Sequence, residues 1–144
     1  MNAEETLSSL LDVLIPPCAE RGMPGAGALG LGARLREEVP DIAPLVDAGT
    51  QTLHERAVER GAADFPSLAA DARSDLVQAL SEEQPVLLPA ILFHLYCAYY
   101  AHPDVLGALG MPPRPPYPEG YEVGPSDLTL LDAVRAREKL YREV

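Results

Sequence analysis

The sequence predicts an all-α protein, a small irregular bundle of about five helices with an extended proline-rich arm. Three observations carry this. Apolar residues recur at i, i+3, i+4 in several segments, which is one face of a helix. Prolines and glycines fall between those segments, where they end helices. Nowhere does an apolar/polar alternation bounded by turn residues suggest a strand. A chain of 144 residues is the size of one domain and can bury a core of its own. Residues 1–144 are therefore read as a single helical domain, with 112–125 as the arm and 126–144 as a terminal helix.

The first helix rests on Leu7, Leu10, Leu11 and Leu14, and Pro16-Pro17 stops it because a residue before proline is pushed out of the α region. Cys18 to Gly32 is glycine-rich without a period and reads mostly as loop. A second helix fits LGARLREEV and ends at Pro40. A third carries Ile42, Leu45, Val46, Leu53, Ala57 and Val58, with Asp41 as N-cap, Pro44 in the first turn and Gly61 as C-cap. Ser67 is expected to cap a fourth, in which Leu68, Ala72, Leu76, Val77 and Leu80 share a face. The fifth, about 86 to 101, is apolar nearly all round, the mark of a helix in the middle of a bundle. Pro89 means either a late start or a kink. After His102-Pro103 the prolines and glycines suggest irregular chain, and PPRPPYP favours polyproline II. Ser126 is the expected cap of the terminal helix.

Charge narrows the function classes. The net charge is −11, from 22 acids against 11 lysines and arginines, so phosphate backbones and anionic membrane surfaces are repelled. Arg135, Arg137, Lys139 and Arg142 form the only basic cluster, beside Glu138 and Glu143. Nucleic acid is therefore not expected as a partner. The apolar run 86–101 is 16 residues long and contains a histidine and a proline, short of the about 20 apolar residues of a membrane span. The acidic start MNAEETLSSLLDVLIPP lacks the basic region of a signal peptide, which points to the cytoplasm. Two cysteines, Cys18 and Cys97, exclude a disulfide framework or a multi-cysteine metal site, and leave one disulfide open.

Catalytic patterns are weak. GAGALG, residues 25 to 30, matches the G-x-G-x-x-G of dinucleotide-binding turns. That fingerprint needs a strand leading into its first glycine and a helix opening at the motif. Arg21-Gly22-Met23-Pro24 cannot be a buried strand, and no β-α units follow, so the glycines read as a flexible or turn-forming loop. His94 and His102 stand eight positions apart, about 12 Å along one helix, too far to share a metal. His102 reads as a helix end, where a cationic imidazole favours the dipole. No G-x-S-x-G elbow occurs, and the pairs Asp71/Asp75 and Glu82/Glu83 read as solvated surface in so acidic a chain. No catalytic, cofactor-binding or metal-binding residues are assigned.

One stretch is more distinctive: FHLYCAYYAHPDVLGALGMPPRPPYPEGY, residues 93 to 121, an apolar helix ending in Tyr99-Tyr100, then a proline, Leu-Gly, a proline segment and Gly120-Tyr121. Together with LSSLLDVLIPP and DFPSLAADARSDLVQAL, it resembles the gluconate 2-dehydrogenase subunit 3 family over roughly residues 7 to 121. The resemblance implies a non-catalytic accessory subunit, not an enzyme by itself. Its partner would be a larger FAD flavoprotein of the glucose–methanol–choline (GMC) oxidoreductase type, acting on sugars or alcohols and often joined by a c-type cytochrome. The flavin would sit on that partner, with no cofactor on this chain. The expected partner-binding residues are Tyr99, Tyr100, Pro116, Tyr117, Gly120 and Tyr121, because tyrosines on a pre-ordered arm dock at low entropic cost. Family members commonly carry a twin-arginine export signal, and this sequence departs from that pattern; export on a partner's signal is the alternative to a cytoplasmic form. A stand-alone helical scaffold without a flavoprotein is the competing reading of function.

Overall fold

The computed structural model describes residues 3–114 and 117–138. Its first helix, α1 (Ala3–Leu14), is the element around which the others gather. Leu7, Leu10 and Leu11 are fully buried, and burial of a leucine side chain contributes roughly 1.5 to 3 kcal/mol. Glu4 and Glu5 lie in its first turn, where negative charge suits the helix dipole. α2 (Leu31–Glu38), α3 (Ala43–Glu59) and α4 (Ala70–Glu83) all pack on α1. α5 (Leu87–Tyr100) lies against α2 and α3, and α6 (Pro103–Ala108) against α5. α7 (Asp132–Arg135) follows much later. Among the described residues there are helices and no strand, so the chain is all-α.

Pro44 and Pro89 act as expected. Pro44 occupies the first turn of α3, and Pro89 the first turn of α5, so α5 starts late rather than kinking. Gly61 takes a left-handed φ of 83° just after α3. The caps differ from the sequence reading. Ile42, not Asp41, precedes α3, after a 3₁₀ turn over Pro40–Ile42. Ser67 does not cap α4: its amide and hydroxyl both donate to Asp64, and α4 begins after Ala69 without a side-chain cap. His102 follows the end of α5, as expected, and also opens α6, a helix the sequence reading lacked: its Nδ1 accepts the Asp104 amide at 3.3 Å.

Two larger corrections concern position. The most apolar helix is not central. α5 buries Leu87, Leu88, Ile91, Leu95, Ala98 and Tyr99, and turns its other side outward. The terminal helix is also shorter than expected over its described part: a 3₁₀ turn, Leu128–Leu131, runs into α7. Asp127, not Ser126, caps it by accepting the amide of Thr129 at 3.0 Å. The remainder, 139–144, lies outside the described residues.

Candidate interaction surface

The outward side of α5 is aromatic. Phe93, Tyr96, Cys97 and Tyr100 stand at i, i+3, i+4 and i+7, so they form one stripe along the helix. Pro89 and Val86 extend it by one and two turns toward the N-terminus. Val86 is 71% exposed, Phe93 66%, Tyr96 45% and Tyr100 51%. The Tyr96 and Tyr100 rings stack with centroids 6.2 Å apart, and Tyr100 meets Tyr99 edge to face at 5.2 Å. No Asp, Glu, Lys or Arg occurs within α5. A contiguous apolar patch of this kind, on the outside of a small domain, marks an interaction site more often than idle surface.

The arm leaves the body beside this helix in sequence. Leu109 and Met111 are exposed, and Tyr117 is 84% exposed. Instead of running extended, the arm hooks. Residues 117–119 form a turn, Gly120 takes a φ of 70°, and the Tyr121 hydroxyl donates to the Arg114 carbonyl at 2.6 Å. The Arg114 guanidinium lies over the Tyr121 ring, 5.4 Å from its centroid, and pairs with Glu119 at 3.5 Å. Tyr121 thus braces the hook, while Tyr117 remains on its outer rim. Pro116 lies outside the described residues. Leu128, Leu130, Leu131 and Val134 are further exposed apolar residues, in the C-terminal segment.

The sequence-derived site therefore divides. Tyr100, Tyr117 and the Gly120 turn lie outside the core. Tyr99 does not: it is 1% exposed, and its hydroxyl donates to the Pro24 carbonyl at 2.7 Å. Burial, then Tyr100 and Cys18, push its pKa above the ordinary tyrosine value. Its role is to hold the glycine-rich loop. Phe93, Tyr96 and Val86 were missed, because a helix apolar on both sides reads as fully buried; the spacing 93, 96, 100 against 91, 95, 98/99 was the available signal.

The glycine-rich loop is packed rather than flexible. Cys18 and Met23 exchange backbone hydrogen bonds of 2.9 and 3.0 Å, and 3₁₀ turns occupy Ala19–Arg21 and Gly27–Leu29. The Gly27 amide donates to Asp12 Oδ1 on α1 at 2.8 Å. A Cβ at Gly27 would sit 2.1 Å from the Ser8 carbonyl oxygen, and one at Gly25 2.3 Å from Asp12 Oδ1. The pair of glycines is accounted for by this close approach to α1. A helix does open at Leu31, directly after Gly30, but the chain enters Gly25 from a bridge and a turn, not a strand.

Both cysteines are free thiols, Cys97 within the aromatic stripe. Among the described residues no three histidine, cysteine or acidic side chains come together as a metal site, and no helix is long and apolar enough to cross a membrane. No protein-family profile matches the chain, and neither a curated protein nor a solved structure is similar to it.

Proposed function

We propose that the chain is a non-catalytic small subunit that binds and stabilises a larger GMC-type FAD-dependent sugar or alcohol oxidoreductase. The observation that supports it is the aromatic stripe of α5, exposed on a body in which α1, α2 and α4 bury their apolar faces. The sequence resemblance names the partner, and the stretch that carries it, 93 to 121, spans the stripe and the hook. A stable interface needs about 800 Å² from each side. One helix face about 21 Å long supplies part of that, and the hook with its exposed Tyr117 supplies more. Self-association through the same surface would bring two chains of charge −11 together. The chain itself contributes contact area and order, and the partner supplies flavin and substrate chemistry.

Co-expression with a GMC-type flavoprotein tests this. The pair should co-purify in a fixed ratio, with flavin absorbance confined to fractions containing the large subunit. Replacing Phe93 and Tyr96 together by aspartate should abolish co-purification, while the isolated variant keeps its helical circular dichroism. A wild-type chain that fails to retain the flavoprotein, or that carries stoichiometric flavin alone, contradicts the proposal.

A further inference from the structure

A cleft of about 370 Å³ opens between the end of α1 and the start of α4, away from the aromatic stripe in sequence. Val13, Pro16 and Pro17 give it apolar walls, and Asp12, Arg73 and Ser74 supply polar groups. Arg73 is unusual in this molecule. Four described arginines are half-buried: Arg36, Arg56, Arg73 and Arg114. Arg36 pairs with Glu4 and Asp47, Arg56 with Glu83, and Arg114 with Glu119. Arg73 has no carboxylate within ion-pair distance among the described residues, and its buried Nε has no hydrogen-bond partner. A chain with twice as many acids as bases leaves Arg73, a half-buried residue that lines this cleft, without an ion-pair partner among the described residues. A guanidinium that loses hydration without gaining a counter-ion is unfavourable, and its planar fork matches a carboxylate.

The cleft is not simply positive. Asp12 also lines it; its Oδ1 accepts the Gly27 amide, and its Oδ2 makes no hydrogen bond among the described residues. A bare anion would meet that charge as well as the net −11 of the chain; a molecule with its own donor would use it. Val13 and the proline rings offer apolar contact to a short carbon skeleton, and the volume is at the small end of ligand pockets. We propose that this cleft binds a small carboxylic acid that also bears a hydroxyl or ammonium group, its carboxylate on Arg73 and its donor on Asp12.

Three acids of one skeleton test it: propionate, lactate and alanine, with propanol as the probe lacking a carboxylate. Each is titrated into the full chain while the Arg73 Nε–H and Gly27 amide resonances are followed by NMR. Lactate or alanine should shift both signals saturably and bind about tenfold more tightly than propionate, the effect of one charge-assisted hydrogen bond. Propanol should shift neither. Arg73→Gln should remove the response and Arg73→Lys retain a weaker one; an Arg73→Lys protein with native circular dichroism separates lost binding from lost folding. No saturable shift with any of the acids, or equal binding by wild type and Arg73→Gln, overturns the proposal. So does an Arg73 signal that responds only when a partner protein is added, because the carboxylate would then be a partner side chain.

Discussion

The tetrapeptide GALG occurs twice, at 27–30 and at 107–110, and the two copies behave alike at one end and differently at the other. The last glycine is left-handed in both, with φ of 65° at Gly30 and 72° at Gly110. The first glycine is not equivalent. Gly27 is pressed against the Ser8 carbonyl and bonded to Asp12, whereas a Cβ at Gly107 would meet nothing within 4 Å. Local chain shape follows from the tetrapeptide, while the demand for a missing side chain comes from what lies across from it. The same contrast separates the halves of the molecule. Residues 3 to 108 close on a common core, and among the described residues from 109 onward the large apolar side chains, Tyr121 apart, are exposed.

The largest expected effect is at the first glycine. Gly27→Ala should cost about 3 kcal/mol, since the new methyl group meets a backbone oxygen that cannot turn away. Gly107→Ala, inside α6 with open space around it, should raise stability by about 0.5 kcal/mol through helix propensity. Urea unfolding of both variants measures the gap, and equal effects would break the comparison. Asp12→Ala comes next, at about 2 kcal/mol, because it leaves the Gly27 amide without its charged acceptor. Hydrogen exchange at Gly27 should accelerate in that variant while the Gly110 amide is unchanged.

Tyr99→Phe should cost about 1 kcal/mol, the net value of the hydrogen bond to Pro24. It also carries a pH signature. Burial raises the Tyr99 pKa in the folded chain, so above about pH 10 the unfolded state ionises first and binds fewer protons. That part of the stability is complete below the unfolded value and is lost as pH climbs from there through the folded one. The phenylalanine variant should lose stability less steeply in that window, as read from unfolding free energies at stepped alkaline pH. Parallel slopes would mean that Tyr99 is not the group being titrated.

Much of the bundle was legible, and the exceptions have physical reasons. α1, α2, α3 and α5 lie where leucine spacing and proline stops put them. The caps were less legible, because a cap needs the right neighbour as well as the right side chain. Ser67 is engaged by Asp64, and His102 serves as an acceptor that its residue type does not advertise. α6 is only six residues long and includes a glycine, too short for periodicity to register. Glycine spacing showed that the chain turns at 25–30 but not that it packs on α1, since the partner, Asp12, is fifteen positions away and on another element. For the interaction surface, the tyrosine-rich stretch pointed to the right region. It could not tell Tyr99 from Tyr100, neighbours in sequence that point into the core and out of it.

Oxidative footprinting of side chains in the co-expressed complex, compared with the free chain, tests the division between a closed N-terminal side and an open docking side. Phe93, Tyr96, Tyr100, Met111 and Tyr117 should be modified readily in the free chain and protected in the complex, because they are exposed here and lie on the stripe, the hook or the approach between them. Met23, held in the glycine-rich loop by its hydrogen bonds to Cys18, should be modified equally in both. Protection that falls on Met23 while Phe93 and Tyr96 stay reactive would place the partner on the other side of the molecule and contradict the assignment.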